Sequence, residues 1–409
     1  MNQNIQKNPR NHSIWLEFVI FLLFLLGPLT GNIINVLFDV LSSSFHVSAD
    51  DLFLAIPAFM FPFGITQLFS GAISDNKGRV PVLIIGLIVF GIAMLIAAVS
   101  FNLGMYVIAN IIGGIGFGFI NPVLIALMTD ITPPTNIAKK LGYLGASANL
   151  GVGLGPLIAS QMIFIGWQSI YILFIVITCF CLVYFAFARR PHQNVPEKSG
   201  ILIFLSQLSK EWRRFSVILM ILSAFFISHT YIALNIWTSR VLSGVLDTRI
   251  IGFILCLSGV GAATTGILTG FKIKKNGARI PLLIGSLILL SSLVILLIVG
   301  DITNPERFLL LAIGWILAGL SGGILFTTIT YYSQVLSPKR RGALAGSLTA
   351  SYFTGIALVP FTLASFSVNF GITGVYLAIL MASILFILVT LLLYLYSKRI
   401  VSEEINSRK

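Results

Sequence analysis

Charge is what this sequence has least of. Only 10% of its 409 residues are Asp, Glu, Lys or Arg, and Asp and Glu together number 13. A soluble chain of this length carries roughly 25% charged residues, so most of this protein's surface faces something other than water. Cysteine is also scarce: Cys179, Cys181 and Cys256 fall inside apolar stretches. They read as small packing residues and suggest neither a disulfide framework nor a metal site. No G-x-x-x-x-G-K-[ST] phosphate loop occurs, which argues against nucleotide-driven pumping. Gly114, Gly116 and Gly118 lie within an apolar helix, where close packing is the better reading than nucleotide binding. With no H-E-x-x-H, metal cluster or catalytic triad in view, neither enzymatic activity nor a cofactor is expected.

What is abundant is apolar surface. The chain is 57% hydrophobic, with a mean hydropathy of +1.00. Twelve apolar stretches recur: 14–41, 51–73, 80–100, 103–128, 141–165, 168–188, 215–239, 250–271, 280–299, 307–333, 342–367 and 372–396. Each can cross a hydrocarbon core about 30 Å thick as a helix. The expected fold class is therefore an all-α membrane protein with twelve transmembrane helices. The first stretch is too long for a signal-peptide core and has no small-residue cleavage site, so it reads as retained.

The net charge of +13 could point to nucleic acid, but its distribution argues otherwise. With the N-terminus inside, 23 of the 26 Lys and Arg fall in cytoplasmic segments, leaving Arg240, Arg249 and Arg307 outside. That bias follows the positive-inside rule; it implies a multi-pass cell-membrane protein with both termini cytoplasmic. Anionic membrane lipid is a secondary, unspecific partner, and no nucleic acid is expected.

The pattern breaks once, over residues 189–214. The implied organisation is a cytoplasmic tail (1–13), a six-helix bundle (14–188), a cytoplasmic linker (189–214), a second bundle (215–396) and a tail (397–409). The linker either lies partly on the membrane surface or is a plain solvated connection. The bundles repeat each other. GAISDNKGRVPVLIIG (71–86) matches GFKIKKNGARIPLLIG (270–285) with one residue inserted near Ala278, and Gly142, Gly151 and Pro156 match Gly346, Gly355 and Pro360 at a constant offset. Such repeats mark secondary transporters, whose substrate site lies between them near the bilayer midplane.

In GAISDNKGR, the residues Gly71, Asp75, Gly78 and Arg79 resemble the motif between helices two and three of the major facilitator superfamily. In the fifth span, Gly142, Gly151, Gly155 and Pro156 resemble the pattern of twelve-helix drug–proton antiporters, and Leu29 to Leu83 looks like the opening of the bicyclomycin-resistance type. The resemblance spans essentially the whole chain. It implies two pseudo-symmetric six-helix bundles, with Asp75 capping helix eleven near Gly342 and Arg79 paired with Asp130 as a conformational latch. A carboxylate at a helix N-terminus is electrostatically favourable. Lys274 at the repeated aspartate position makes the latch one-sided. Gly71 and the fifth-span glycines should let helices approach closely, and Pro156 should bend its helix.

The sequence departs from that resemblance where charge is expected. Antiporters of this type usually carry an acid in helix one and an arginine in helix four; the aligned positions hold Asn32 and Asn110. A charge inside a membrane is costly and kept mainly for coupling, so coupling here differs or is absent. Asn32, Asn35 and Asp39 share one helix face, as do Asn110 and Asn121, and Ser321, Thr328 and Tyr332. The repeat sets Tyr231 opposite Asn32 and Thr238 opposite Asp39. By the resemblance, helices one, four, seven and ten line the central cavity with these residues. Asp39 is either a proton or cation site or simply the helix reaching water, and Arg240 is its candidate partner across the halves. His229 lies roughly 200° around the helix from Tyr231 and suits packing or hydrogen bonding better than proton carriage.

Three function classes fit. One is a monomeric alternating-access exporter of small amphipathic molecules in exchange for protons, as the fifth-span motif implies. The second is a transporter or facilitator of a neutral polar metabolite such as a sugar, without proton antiport, which the amide-rich faces suit. A receptor or scaffold on the same fold is a distant third.

Overall fold

The structure, a computed structural model, describes residues 14–133, 136–187, 201–243, 245–299, 307–337 and 341–406. Among them every regular element is helical. The first span is broken: α1 (Ile14–Asn32) passes through a 3₁₀ turn (Ile33–Val36) into α2 (Phe38–Phe45). A 3₁₀ turn (Asp51–Leu54) opens the second span, α3 (Ala55–Lys77). Spans three to six are α4 (Arg79–Ala98), α5 (Leu103–Ile131), α6 (Ile137–Met162) and α7 (Gln168–Phe187).

In the linker stretch, α8 (Ile201–Trp212) precedes the seventh span. That span runs from α9 (Phe215–Ile227) through a π-helical turn (Ser228–Ile232) into α10 (Ala233–Leu242). Then come α11 (Thr248–Asn276), α12 (Arg279–Val299), α13 (Phe308–Val335) and α14 (Arg341–Asn406). Eleven segments are long and apolar enough to cross a membrane, and the last, Leu344–Ser397, has 54 residues. At 1.5 Å per residue it runs ~80 Å, well over twice the ~30 Å core. It is broken at Gly371, whose φ is 61°, and so supplies spans eleven and twelve.

The sequence explains the packing. With apolar residues all around the helices, specificity comes from small residues that bring backbones together. In α5 a Cβ on Gly114 would collide with the Phe59 carbonyl of α3, and one on Gly116 would lie 2.6 Å from Phe90 N of α4. The internal repeat recurs as conformation: Gly78 and Gly277, at matched positions between consecutive helices, have φ of 92° and 75°. Only glycine takes such angles without strain.

The fifth-span motif divides in two. Gly151 and Gly155 press on α1, where a Cβ would collide with Leu25 O or lie 2.5 Å from Leu29 O. Among the described residues a Cβ on Gly142 or Gly71 would meet nothing within 4 Å, so the close approach expected at these two positions is not seen there. Both sit beyond the tight crossings of their helices. α6 continues unbroken past Pro156 to Met162.

The two halves meet along α6 against α11 and α3 against α14. The first contact turns on Gly153 and Gly259: a Cβ on Gly259 would lie 2.6 Å from Gly153 N, and one on Gly153 2.9 Å from Cys256 O. The linker helix α8 is tied to the second half, with Trp212 Nε1 donating to Ser347 Oγ at 2.8 Å and Leu208 buried. Just beyond α8, Arg214 donates to Leu336 O at 3.1 Å.

Candidate functional site

A cavity of about 100 Å³ lies between the halves. The first half contributes Gly27, Pro28, Gly31, Asn32, Ile34 and Asn35 of the first span, Ile56, Phe59, Met60 and Phe63 of α3, and Ala148, Asn149 and Val152 of α6. The second contributes Ile227, Tyr231, Ile232 and Ile236 of the seventh span, Gly322 and Phe326 of α13, and Tyr352, Phe353 and Ile356 of α14. The polar groups are Asn32, Asn35, Asn149, Tyr231 and Tyr352; no Asp, Glu, Lys, Arg or His is among these lining residues.

Of the expected cavity residues, Asn32, Asn35 and Tyr231 line this cavity, and the others are not among its lining residues. Asn110 turns back to donate to Tyr106 O at 2.8 Å, and Asn121 donates to Gln67 Oε1 of α3 at 2.9 Å. Thr238 meets the Tyr376 hydroxyl at 3.2 Å, while Ser321 and Thr328 donate to Ala318 O and Ile324 O of their own helix. Tyr332 is buried outside the cavity lining.

The reason is packing. The glycines of α5 draw that helix in behind α3, so Phe59 and Phe63 stand at the cavity in its place and Phe117 packs on Gly27. Helix periodicity finds a polar face but not whether that face meets the central cavity or a sibling helix. In the seventh span the π turn also rotates α10 by about one residue relative to an unbroken helix. That takes Thr238 off the Tyr231 face.

Of the two readings of Asp39, its position fits the helix reaching water. The 3₁₀ turn and the start of α2 separate it from Asn32 and Asn35, and it is exposed outside the cavity. Arg240 pairs instead with Asp50, Nη2 to Oδ1 at 3.0 Å. His229 stays out of the cavity, as expected, with Nε2 3.2 Å from Thr362 Oγ1 and Nδ1 3.3 Å from Phe225 O.

Sequence reasoning missed Asn149, Tyr352 and Phe353, although a signal was present. Ala148, Asn149 and Val152 match Tyr352, Phe353 and Ile356 at the same offset that relates Gly151 to Gly355. The repeat therefore presents the same helix face to the cavity from both halves.

Two aromatic pairs crossing between the halves bracket this chamber. Near the start of the second span the Phe53 and Trp237 rings lie 4.8 Å apart; further along α3 the Phe63 and Phe353 rings lie 4.3 Å apart. The two α3-side rings are separated by ~15 Å of helix. The Asp50–Arg240 ion pair reinforces the Phe53–Trp237 contact, and the Arg249 guanidinium lies 4.5 Å over the Phe164 ring, again across the halves. Arg249 also bonds Asp247, holding that exposed carboxyl below its usual range.

At the opposite end of the first half, Arg79 contacts Asp75, donates to Asp130 at 3.1 Å and reaches Ser74 Oγ at 2.6 Å. The expected cap by Asp75 near Gly342, and the side chain of Lys274, fall outside the described side chains.

Known proteins fit this geometry. The solved xylose transporter XylE from E. coli superposes with a TM-score of 0.71 at 17% identity, covering 91% of this chain and 95% of that one. A D-xylose-proton symporter does so with a TM-score of 0.72 at 14% identity, covering 92% and 97%. At such identities the likeness shows the fold alone. The quinolone resistance protein NorA of Staphylococcus aureus is 35% identical over 147 residues, 36% of this chain and 37% of NorA, so the match spans little more than a third of that relative. The uncharacterized MFS-type transporter YceJ of Bacillus subtilis is 26% identical over 356 residues, 84% of this chain and 86% of YceJ. The sequence profile of the Major Facilitator Superfamily matches residues 20–248 and 246–409. With paired six-helix halves around a cavity between them and a family match along nearly its whole length, this chain belongs to the Major Facilitator Superfamily.

Proposed function

We propose that this transporter exports small amphipathic organic compounds across the cell membrane by alternating access, in exchange for protons. The observation that carries this reading is the cavity wall. Phe59, Phe63, Phe326 and Phe353 surround a few uncharged amide and phenol groups, a lining that rewards apolar, aromatic guests. The partial likeness to NorA, a quinolone resistance protein, points the same way. A sugar site would need many convergent hydrogen-bonding groups, and this wall has five polar side chains among 22 lining residues.

In this reading the state described is closed on the outer side by Phe53–Trp237 and Asp50–Arg240. The Asp75–Arg79–Asp130 cluster is the cytoplasmic latch, braced in one state and released in the other, and Gly78 sets its turn. Gly153 and Gly259 are the bearing on which the halves rock. At about 100 Å³ the chamber is below the ~300–1,000 Å³ usual for drug-sized ligands, so loading entails widening through the Phe63–Phe353 contact. Both termini are cytoplasmic and the transporter acts as a monomer in contact with membrane lipid.

The test is uptake into proteoliposomes of an amphipathic drug, with an imposed pH gradient switched on and off. Gradient-dependent movement supports the reading. A protein that ignores the gradient and the drug but equilibrates a labelled sugar would replace it with the facilitator alternative.

A further inference from the structure

The chamber wall holds nothing that could neutralise a charged guest. Its polar groups are three carboxamides (Asn32, Asn35 and Asn149) and two phenols (Tyr231 and Tyr352). The acids nearest in sequence lie elsewhere: Asp39 is exposed and outside the cavity, Asp50 is committed to Arg240, and exposed Asp51 accepts from Ser48. Asn32 is buried with Nδ2 donating to Pro28 O at 2.7 Å, which leaves its Oδ1 as a neutral acceptor. A cation moved from water to this depth loses its hydration and meets only amide dipoles and ring faces. An ion stripped of solvent is tolerated when a counter-charge replaces the water.

We propose that the transported compound is uncharged when bound, and that the neutral side chain of Asn32 sets this selectivity. The inference rests on the reading that the chamber takes organic amphiphiles, and on neither the direction of transport nor its coupling.

The test is binding to the full-length protein in lipid nanodiscs, using acridine well above its own pKa and N-methylacridinium, which share one ring system and differ by a charge. Protein-free nanodiscs supply the partition baseline. The wild type is expected to bind acridine tighter on the order of tenfold or more. Asn32→Asp should erase or reverse that ratio by raising affinity for the cation, whereas Asn32→Leu should keep the neutral preference and show that a cavity change alone is not responsible. A wild type that binds the cation as tightly as acridine overturns the proposal, and so does binding of neither. An unchanged ratio in a folded Asn32→Asp protein overturns the role of Asn32. Loss of gradient-driven export with the neutral preference intact would remove the exporter reading and leave this inference standing.

Discussion

The outer closure combines an ion pair with an aromatic contact, and their contributions should differ by more than an order of magnitude in population. Asp50 is 73% exposed on its side chain, so its pairing with Arg240 contributes about 0.5 kcal/mol or less. Phe53 and Trp237 are 8% and 4% exposed and lie ring against ring. Opening the outer side would wet both. Burial of a large apolar side chain is worth about 1.5–3 kcal/mol, and the aromatic pairing adds about 0.5–1.5 kcal/mol. Taking about 3 kcal/mol for the pair, Trp237→Ala should shift the closed-to-open ratio by ~100-fold, against ~2-fold for Asp50→Asn. Spin labels on exposed Ser44 and Val245, one on each half, report the outer distance by pulsed electron resonance. Trp237→Ala should populate a longer distance, and Asp50→Asn should barely change the distribution. If Asp50→Asn opened the outer side as far as Trp237→Ala does, the energetic ranking would be wrong and the gate would be electrostatic.

Other expectations follow from the same contacts. Gly153→Leu or Gly259→Leu must drive apart backbones that a Cβ would already approach within 3 Å, so transport should fall at least tenfold while Gly142→Ala and Gly71→Ala stay near wild type; initial rates in proteoliposomes decide. Removing Asn121 by Asn121→Leu strands Gln67 inside the first half and should cost about 1–3 kcal/mol of stability, seen as a lower Tm with an unchanged substrate profile. Asp39→Asn should leave any gradient dependence as it was, because Asp39 is exposed and off the chamber; loss of coupling in that variant would return the proton site to the outer end of the first span.

Much of the architecture could be read from the chain because lipid imposes few options. A succession of apolar stretches of ~20 residues or more leaves little besides a helical bundle. The Arg79–Asp130 contact was legible only through the resemblance of GAISDNKGR to the superfamily motif, which implies that pairing. Asn110, Asn121 and Thr328 were misplaced for a physical reason. Their faces are polar, yet each is satisfied inside its own half, and one-dimensional periodicity carries no information about which neighbour a face meets. Asp39 and Thr238 were misplaced because a 3₁₀ turn and a π turn interrupt spans that read as continuous. Neither irregularity has a proline within it to announce it.

The repeat is the sequence feature with most left to give. The face of α6 that carries Ala148, Asn149 and Val152 and the face of α14 that carries Tyr352, Phe353 and Ile356 are matched positions in two copies of one design. Evolution has placed the bulk on one side and the amide on the other. If the chamber depends on summed volume and polarity, exchange between the copies should be tolerated better than either change alone. Asn149→Phe adds a ring to a space of about 100 Å³ and should block transport. Phe353→Asn removes a ring that closes on Phe63 at 4.3 Å and should leave the chamber leaky. The double variant restores the inventory of side chains, and its transport rate should exceed that of Asn149→Phe severalfold, a coupling on the order of 1 kcal/mol for residues sharing one cavity. A double variant as inactive as the product of the two single losses would show that the halves have diverged in role. The amide of Asn149 would then be required where it stands, and only the first half would orient the guest.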